Sequence, residues 1–287
     1  MTAAALAALA VVLSGPAPAL LARVPRIRSA PRGAMTLWQA VALAAVLSAL
    51  GATLAAFTGT APGDGPLERA VAAVALLVTL VVAGRLLLTG HRVGTRLRST
   101  RRQHRELVDL LASRESGFVV VEGDAPVAYC LPGIAHQRVV ISSAAVAQLP
   151  AEQLQAVLAH ERAHLTARHD LVLEAFTVLH QAFPRFVSSA RALGEVRLLV
   201  EVLADFAARR RYGALPLAQA LVALTGSPAP SSSLSAGGTP SELTARVRLL
   251  TDEGSHRLLA AALYAAALAV LVLPTVFLAY PWLASLQ

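Results

Sequence analysis

The chain of 287 residues is 56% hydrophobic, only 15% charged, and carries a formal net charge of +8. A soluble domain is usually about 45–50% apolar and about 25% charged. Part of this apolar surface must therefore face lipid, which excludes a purely soluble enzyme, and the low charge argues against a disordered or coiled-coil protein. Every basic residue is an arginine, and the single cysteine, Cys130, excludes an intramolecular disulfide.

Four segments are long and apolar enough to cross a bilayer, for which about 20 residues are needed. In chain order they are residues 2–22, 35–58, 67–88 and 258–280. We predict that each forms a transmembrane helix. A cleaved signal peptide is the alternative for the first segment. It is disfavoured because no basic residue precedes the apolar stretch and arginines follow it.

The arginines predict the orientation of these spans. The connection after the first span contains four arginines, the connection after the second contains none, and six lie between Arg92 and Arg105. By the positive-inside rule, the first connection and residues 92–257 are cytoplasmic, and both termini lie outside the plasma membrane. No aromatic residue lies among the arginines of 92–105, so we expect them to contact lipid headgroups of the bilayer and no nucleic acid directly.

The region between the third and fourth spans is long enough for one domain. We therefore predict a cytoplasmic domain at residues 90–256, preceded by a membrane region at 1–89 and followed by another at 257–287. Short β-branched runs predict strands at 118–122, 127–130 and 138–142. Helical patterns cover 104–113, 150–168, 171–190, 193–211 and 215–224, and residues 227–241 are typical of a flexible linker. The predicted fold class is a mainly α integral membrane protein with a cytoplasmic α+β domain.

The helix predicted at 150–168 contains a motif typical of zinc peptidases. His160 and His164 are four residues apart, so their imidazoles share one helix face and can bind a single Zn²⁺. Glu161 lies beside them, where a carboxylate can take a proton from water as it attacks a carbonyl. The alternative is an ordinary charged helix face with exposed histidines.

A zinc hydrolase needs a third protein ligand, and two residues qualify. Asp170 follows His164 by six residues, as in the metzincin pattern, but Ala167 stands where that pattern needs glycine and no methionine follows the motif. Glu201 lies on a later predicted helix, with Asp205 one turn further on, where it can hydrogen-bond a ligand histidine. Because the metzincin pattern around Asp170 fails, Glu201 is the preferred third ligand.

Several short stretches resemble the membrane-embedded gluzincin peptidases of family M56, the group of the β-lactam-sensing antirepressor peptidases, and more distantly the M48 peptidases. They are residues 128–133, 139–142, 156–161, 169–170 and 201–205, with a weak match at 246–250. The resemblance implies one Zn²⁺ per chain on His160, His164 and Glu201, with Glu161 as the general base and Asp205 as a supporting acid.

The resemblance also implies an edge strand that binds a substrate peptide by adding it to the sheet. That strand and the residues after it comprise Ala128, Tyr129, Cys130, Pro132 and Gly133. Gluzincins use a further side chain to stabilise the oxyanion, and four residues remain as alternatives here: His169, Arg209, Arg210 and Tyr212.

The expected function is that of an integral membrane zinc endopeptidase that cleaves a protein on the cytoplasmic side, for example a transcriptional repressor in signalling. A membrane-protein quality-control protease and a non-catalytic receptor or scaffold with a metal site are the alternatives. An intramembrane protease is disfavoured because charged residues, among them Glu152, Arg162 and Arg168, flank the motif and are costly in lipid.

Overall fold

The computed structural model describes residues 2–58, 65–115, 117–133, 137–184, 188–225, 234–235, 240–252 and 254–284. These residues are mostly helical, with one small sheet. They divide into two compact units. Unit 1 comprises Met1–His91, Phe176–Val196 and His256–Gln287, and unit 2 comprises Arg92–Ala175 and Arg197–Ser255.

Long apolar helices dominate unit 1, and in the described part of the chain four segments have the length and hydropathy of membrane spans. They belong to the segments Thr2–Leu21, Pro31–Phe57, Pro66–Leu111 and Arg257–Phe277. The four predicted apolar segments are thus confirmed as helical, the first of them as two helices, and their insertion into a membrane stays a prediction. The helices are α1 (Thr2–Ser14), α2 (Pro16–Leu21), α3 (Pro31–Thr58), α4 (Pro66–Leu111) and α11 (Arg257–Ala284).

The presence or absence of proline explains where two of these helices are broken or continuous. The first segment is broken at Gly15, because Pro16 lacks the N–H that a continuous helix would need and instead begins α2. The predicted span 67–88 and most of the predicted helix at 104–113 both lie within helix α4, which is continuous between them. Helix α4 continues for 46 residues, because no proline interrupts it and its polar part is rich in good helix formers such as arginine and leucine.

Helix α3 packs against α11 at Gly33. A Cβ atom at this position would lie 3.0 Å from the Cβ of Leu263 and 3.2 Å from the carbonyl oxygen of Ala260. Glycine therefore allows the two backbones to approach closely, as small residues do between membrane helices.

Unit 2 contains a five-stranded sheet with the order β1-β2-β4-β3-β5 among the described residues. Strands β2 and β4 are parallel and the other pairs are antiparallel. The predicted strands at 118–122, 127–130 and 138–142 are each confirmed to within one residue. The strands are β1 (Ser113–Glu115), β2 (Phe118–Val121), β3 (Ala128–Leu131), β4 (Arg138–Ser142) and β5 (Leu234–Ser235).

Helix α6 (Ala151–Thr166) carries the zinc-peptidase motif and packs on one face of this sheet. Alternate residues of the central strands, such as Cys130 and Ile141, bury this face against Val157 and Leu158 of α6. This packing fixes the helix on the sheet. The remaining helices are α5 (Ser143–Gln148), α7 (His169–Ala182), α8 (Ser189–Tyr212), α9 (Ala214–Ala223) and α10 (Pro240–Thr251).

Residues Phe176–Val196 pack in unit 1, although the sequence prediction placed them in one domain with the motif. The assignment of functional domains at 1–89, 90–256 and 257–287 stays a prediction. The predicted linker 227–241 lies largely outside the described residues. Its described parts are β5 and the first residues of α10.

Candidate metal centre and active site

The two motif histidines lie one turn apart on α6 and face the same space. Their Nε2 atoms are 3.1 Å apart, and both side chains are completely buried. Glu161, between them in the sequence, is also fully buried. The alternative of a polar helix face with exposed histidines is therefore wrong for His160 and His164.

Helix α8 brings Glu201 to the same two nitrogens. One carboxylate oxygen of Glu201 lies 3.4 Å from Nε2 of His160, and the other lies 3.5 Å from Nε2 of His164. Ligand atoms about 2.0–2.2 Å from a tetrahedral zinc lie roughly 3.3–3.6 Å from one another. The two imidazoles and the carboxylate therefore form a donor set that could hold a metal ion.

Asp170, the other residue considered as a third ligand, lies elsewhere. Its carboxylate is 3.4 Å from Nη1 of Arg101 and 3.5 Å from Nε of Arg168. Within the described residues it is not part of the group that could hold a metal. The structure thus brings Glu201, and not Asp170, to the two histidines.

Asp205 lies behind the first histidine, one turn after Glu201 on α8. Its Oδ1 is 2.9 Å from Nδ1 of His160. A carboxylate in this position can orient the imidazole so that its other nitrogen, Nε2, faces the metal. The structure therefore places Asp205 where the sequence expected a supporting acid.

Arg246 on α10 completes this arrangement, although it was not predicted from the sequence as a site residue. Its guanidinium donates two hydrogen bonds to Asp205, and Nη1 lies 3.2 Å from Glu201. The sequence signal was only the weak resemblance at 246–250. Because 41 residues separate Arg246 from Asp205, no local pattern reveals the pair.

The charges in this cluster stabilise one another. Burial alone would lower the pKa of His160, but hydrogen bonds and charge interactions with Asp205 and Glu201 raise that pKa to about 9. Burial would raise the pKa of Glu201, but His164 and Arg246 lower it. The pKa of Asp205 is likewise lowered against its burial by Arg246. Both carboxylates are therefore ionised at neutral pH, as metal binding requires.

His169 lies against the second motif histidine. The Nδ1 atoms of His169 and His164 are 3.0 Å apart. Burial lowers the pKa of His169 to about 4 and that of His164 well below its usual value. Both rings are therefore neutral at neutral pH, and one Nδ1 can donate its proton to the other. This contact fixes the orientation of the His164 ring.

The other residues considered as oxyanion donors have different surroundings. Arg209 donates a hydrogen bond to the carbonyl oxygen of Asp252 at 2.9 Å, and Arg210 is exposed. Tyr212 packs against a buried cluster that includes Leu217. The structure does not test the oxyanion role, which stays a prediction for all four residues.

Cys130 connects the motif to the sheet. The thiol is fully buried on β3, and its pKa is raised well above its usual range by burial and by the Glu161 carboxylate. A buried thiol with a raised pKa is unreactive, so Cys130 acts here as a small core side chain. Its interaction with Glu161 places that carboxylate next to β3.

Among the described residues β3 is not the edge strand of the sheet, and the substrate-binding role implied for it stays a prediction. One side of β3 pairs with β4, and the other side pairs with β5, with Tyr129 opposite Ser235 and Cys130 opposite Leu234. Strand β5 was not predicted because it has only two residues, too short to show a strand pattern. Pro132 and Gly133 follow β3 and lie outside this pairing.

The family model of Peptidase family M48 matches residues 95–225. The match supports a metallopeptidase of the M48 type. It covers the motif on α6 together with Glu201 and Asp205, and it ends before Arg246. The assignment to family M56 is not confirmed. A search of the curated proteins and of the solved structures finds no significant match.

Proposed function

We propose that this M48-type chain is an integral membrane zinc endopeptidase that cleaves a protein on the cytoplasmic side. The observation that carries the proposal is the convergence of His160, His164 and Glu201 within 4.8 Å of one another. Two imidazoles and one carboxylate are the ligands of many catalytic zinc sites, which keep a fourth position open.

His160, His164 and Glu201 would hold the zinc, which when bound acts as a Lewis acid on water and on the scissile carbonyl. Glu161 would accept a proton from the attacking water and return it to the leaving amine. The Glu161 side chain is fully buried, so its carboxylate is shielded from bulk water.

Asp205 and Arg246 would act through His160. The Oδ1 atom of Asp205, 2.9 Å from Nδ1 of His160, would hold the ring in one orientation. Arg246 in turn fixes both oxygens of Asp205. Its second contact, with Glu201, offsets part of the negative charge that two carboxylates bring to one buried site.

The membrane location rests on the four apolar helices of unit 1 and on the asymmetry of the arginines. Within the described residues, the motif helix α6 is not one of the candidate spans, which favours hydrolysis outside the lipid. We infer a regulatory substrate such as a transcriptional repressor. Turnover of membrane proteins is the alternative substrate class for the same chemistry.

The deciding experiment compares Glu161→Gln with Glu152→Gln, an exposed glutamate on the same helix. Both detergent-purified variants should retain about one zinc per chain, measured by elemental analysis. Hydrolysis of a fluorescently labelled unfolded protein should fall by about 10²–10⁴-fold in Glu161→Gln only. Full activity in a zinc-loaded Glu161→Gln protein would contradict the catalytic role and favour the receptor or scaffold.

A further inference from the structure

Helices α7 and α8 both extend into unit 1, which contains the apolar parts of the candidate membrane spans. The part of α7 from Phe176 onward and the part of α8 up to Val196 belong to this unit. We call residues 182–184 and 188–190, where α7 ends and α8 begins, the hairpin tip. The contacts of this hairpin within unit 1 indicate how far it extends into the membrane region.

The first contact lies at the break in the first candidate span. Because Pro18 has no N–H, the carbonyl oxygen of Ser14 lacks its usual helical donor four residues on. The backbone N–H of Ser188 donates to this oxygen at 2.9 Å, and the Ser188 hydroxyl donates to the carbonyl oxygen of Gly15 at 2.8 Å. Ser14 lies seven residues before the end of the span at Leu21, which is about 10 Å along a helix.

The second contact involves a charge within the third candidate span. Between residues 70 and 90 the only arginine, aspartate or glutamate is Arg85. Its Nε and Nη2 atoms donate to the carbonyl oxygen of Ala182 at 3.1 and 2.9 Å. Such a contact satisfies a terminal carbonyl of α7 and its helix dipole, and charged side chains within spans often pair with backbone carbonyls. The end of α7 therefore lies beside the apolar part of α4.

The third contact indicates the level of the lipid headgroups. Both carboxylate oxygens of Glu195 on α8 accept hydrogen bonds from Arg28, which lies in the arginine-rich connection predicted at the cytoplasmic surface. Six residues of helix, about 9 Å, separate Glu195 from Ser189 at the start of α8. This distance agrees with the one between Ser14 and the end of the first span. Both predict that the hairpin tip lies about 9–10 Å below the headgroups.

The described polar groups of the hairpin tip form hydrogen bonds within the protein. The Ser189 hydroxyl donates to the carbonyl oxygen of Phe183 at 3.1 Å and lies 3.1 Å from Nδ1 of His180. The N–H of Phe183 donates to the carbonyl oxygen of Leu179 at 3.1 Å. Non-helical backbone is tolerated at membrane depth only where protein groups take the place of water as partners. The hairpin tip meets this condition.

We propose that the hairpin tip is a re-entrant element that inserts among the acyl chains of the cytoplasmic leaflet, and that Arg85 and Ser188 hold it there. A depth of about 9 Å is less than the roughly 15 Å of hydrocarbon in one leaflet, so the chain enters and leaves on the same side. The proposal depends on membrane insertion and not on peptidase activity.

The side chains near the tip suit this depth. Pro184 and Ala190 are exposed, and both are uncharged residues that can face acyl chains. Arginines 185 and 191 are also close in sequence. Their long side chains can extend to the headgroups from a shallow position, as arginines near the ends of membrane helices do.

The first experiment measures the depth of single fluorescent labels on the full chain in phospholipid nanodiscs, which leave both faces of the bilayer accessible. A maleimide label is attached to Pro184→Cys or Ala190→Cys at the hairpin tip. Ala265→Cys, exposed on α11, is the membrane control, and Glu152→Cys, exposed on α6, is the aqueous control. The wild type, whose Cys130 is buried, measures background labelling. Iodide quenches from water, and phosphatidylcholine with a nitroxide on its acyl chain quenches from the bilayer.

Both tip labels should lose the iodide quenching seen in Glu152→Cys and should be quenched by the nitroxide lipid, as in Ala265→Cys. Iodide quenching equal to that of Glu152→Cys would overturn the proposal. Protection from both quenchers would place the tip inside the protein and would overturn it as well. Peptidase activity is measured on the same samples, so a failed depth result with activity retained rejects this proposal alone.

The second experiment tests the contact that holds the tip. Arg85→Met removes the donor to Ala182, and Arg69→Met, at an exposed position near the start of the same helix, is the matched control. Iodide quenching of the label at Pro184→Cys should rise in Arg85→Met and stay absent in Arg69→Met. Equal protection in both would overturn the role of Arg85. Unchanged helix content by circular dichroism and unchanged zinc content show that each variant is folded.

Discussion

Arg246 donates hydrogen bonds to both carboxylate oxygens of Asp205, from Nε at 2.8 Å and from Nη2 at 2.7 Å, and each side chain is 1% exposed. Asp205 also contacts Nδ1 of His160. A buried chain of three side chains thus runs from α10 through α8 to α6. It connects the position of His160, a proposed metal ligand, to helix α10, which is distant from His160 in sequence.

Asp205→Asn should weaken zinc binding by about 10–100-fold. An asparagine amide oxygen is a weaker acceptor for Nδ1 of His160, so the ring is held less firmly and becomes less basic. Asp109→Asn is the control, because Asp109 forms a partly exposed ion pair with Arg138 in the same unit. Competition with a zinc-chelating dye measures the affinity, and equal affinities in both variants would contradict a role for Asp205 at the metal.

Arg246→Met should lower the free energy of unfolding by about 3–5 kcal/mol, because it leaves the Asp205 carboxylate buried without its cation. Arg248→Met, at an exposed position of the same helix, should change stability by about 0.5 kcal/mol or less. Denaturant unfolding in detergent, followed by circular dichroism, compares the two variants. Similar losses in both would show that the buried pair contributes little.

Glu201→Gln should reduce zinc binding by at least 100-fold, because an amide replaces an anionic ligand. Asp170→Asn should retain about one zinc per chain, because Asp170 contacts arginines rather than the histidines. Elemental analysis after dialysis against a limiting zinc buffer distinguishes the two. The opposite pattern, with zinc lost from Asp170→Asn alone, would transfer the third-ligand assignment to Asp170.

Acid should destabilise the metal-free protein through His169. The pKa of His169 is near 6.5 in the unfolded chain and about 4 in the folded protein. As the pH falls, the unfolded chain therefore binds a proton at His169 before the folded protein does. The resulting stability is present above pH 6.5 and is lost between pH 6.5 and 4. Between pH 7 and 5 the loss from this residue is about 2 kcal/mol.

His169→Gln should therefore flatten the pH dependence of stability in chelator-treated protein, and His91→Gln, at an exposed position, should leave it unchanged. Chemical denaturation at a series of pH values measures this. An unaltered slope in His169→Gln would show that the ring is not kept neutral by its surroundings.

Gly33→Leu should lower the unfolding temperature, because even a Cβ atom at this position lies 3.0 Å from the Cβ of Leu263. Gly84 on α4 is the matched control, since a Cβ there meets nothing within 4 Å. Gly84→Leu should be neutral or slightly stabilising, because leucine is the better helix former. A fluorescence thermal scan in detergent compares the two, and equal shifts would count against close packing of α3 on α11.

Local patterns predicted much of this molecule. Apolar length identified four helices, β-branched runs identified three strands, and the spacing of His160 and His164 placed both rings on one face. These features depend on residues close in sequence. Glu201 could be predicted only because a zinc hydrolase needs a third protein ligand. The local pattern predicts the helix that carries Glu201, but the packing of that helix decides whether the side chain reaches the histidines.

Three features were not predicted from the sequence. Two of them depend on pairing between residues distant in sequence, and the third is the uninterrupted length of α4. Arg246 has the same local surroundings as any arginine of an amphipathic helix, and only the fold brings it to Asp205. Strand β5 is too short to carry a period of two. The continuity of α4 through residues 89–103 was not predicted, although no proline interrupts the chain there.

Because β5 pairs with β3, a peptide that binds along the same edge of β3 must have enough binding free energy to replace β5. Such a peptide must displace Leu234 and Ser235 from Tyr129 and Cys130, and the backbone hydrogen bonds that it forms only replace those that it breaks. A strand tethered within the same chain competes at an effective concentration of about millimolar. A short peptide at lower concentration would therefore displace β5 only if its side chains fit this face of the sheet better than those of Leu234 and Ser235.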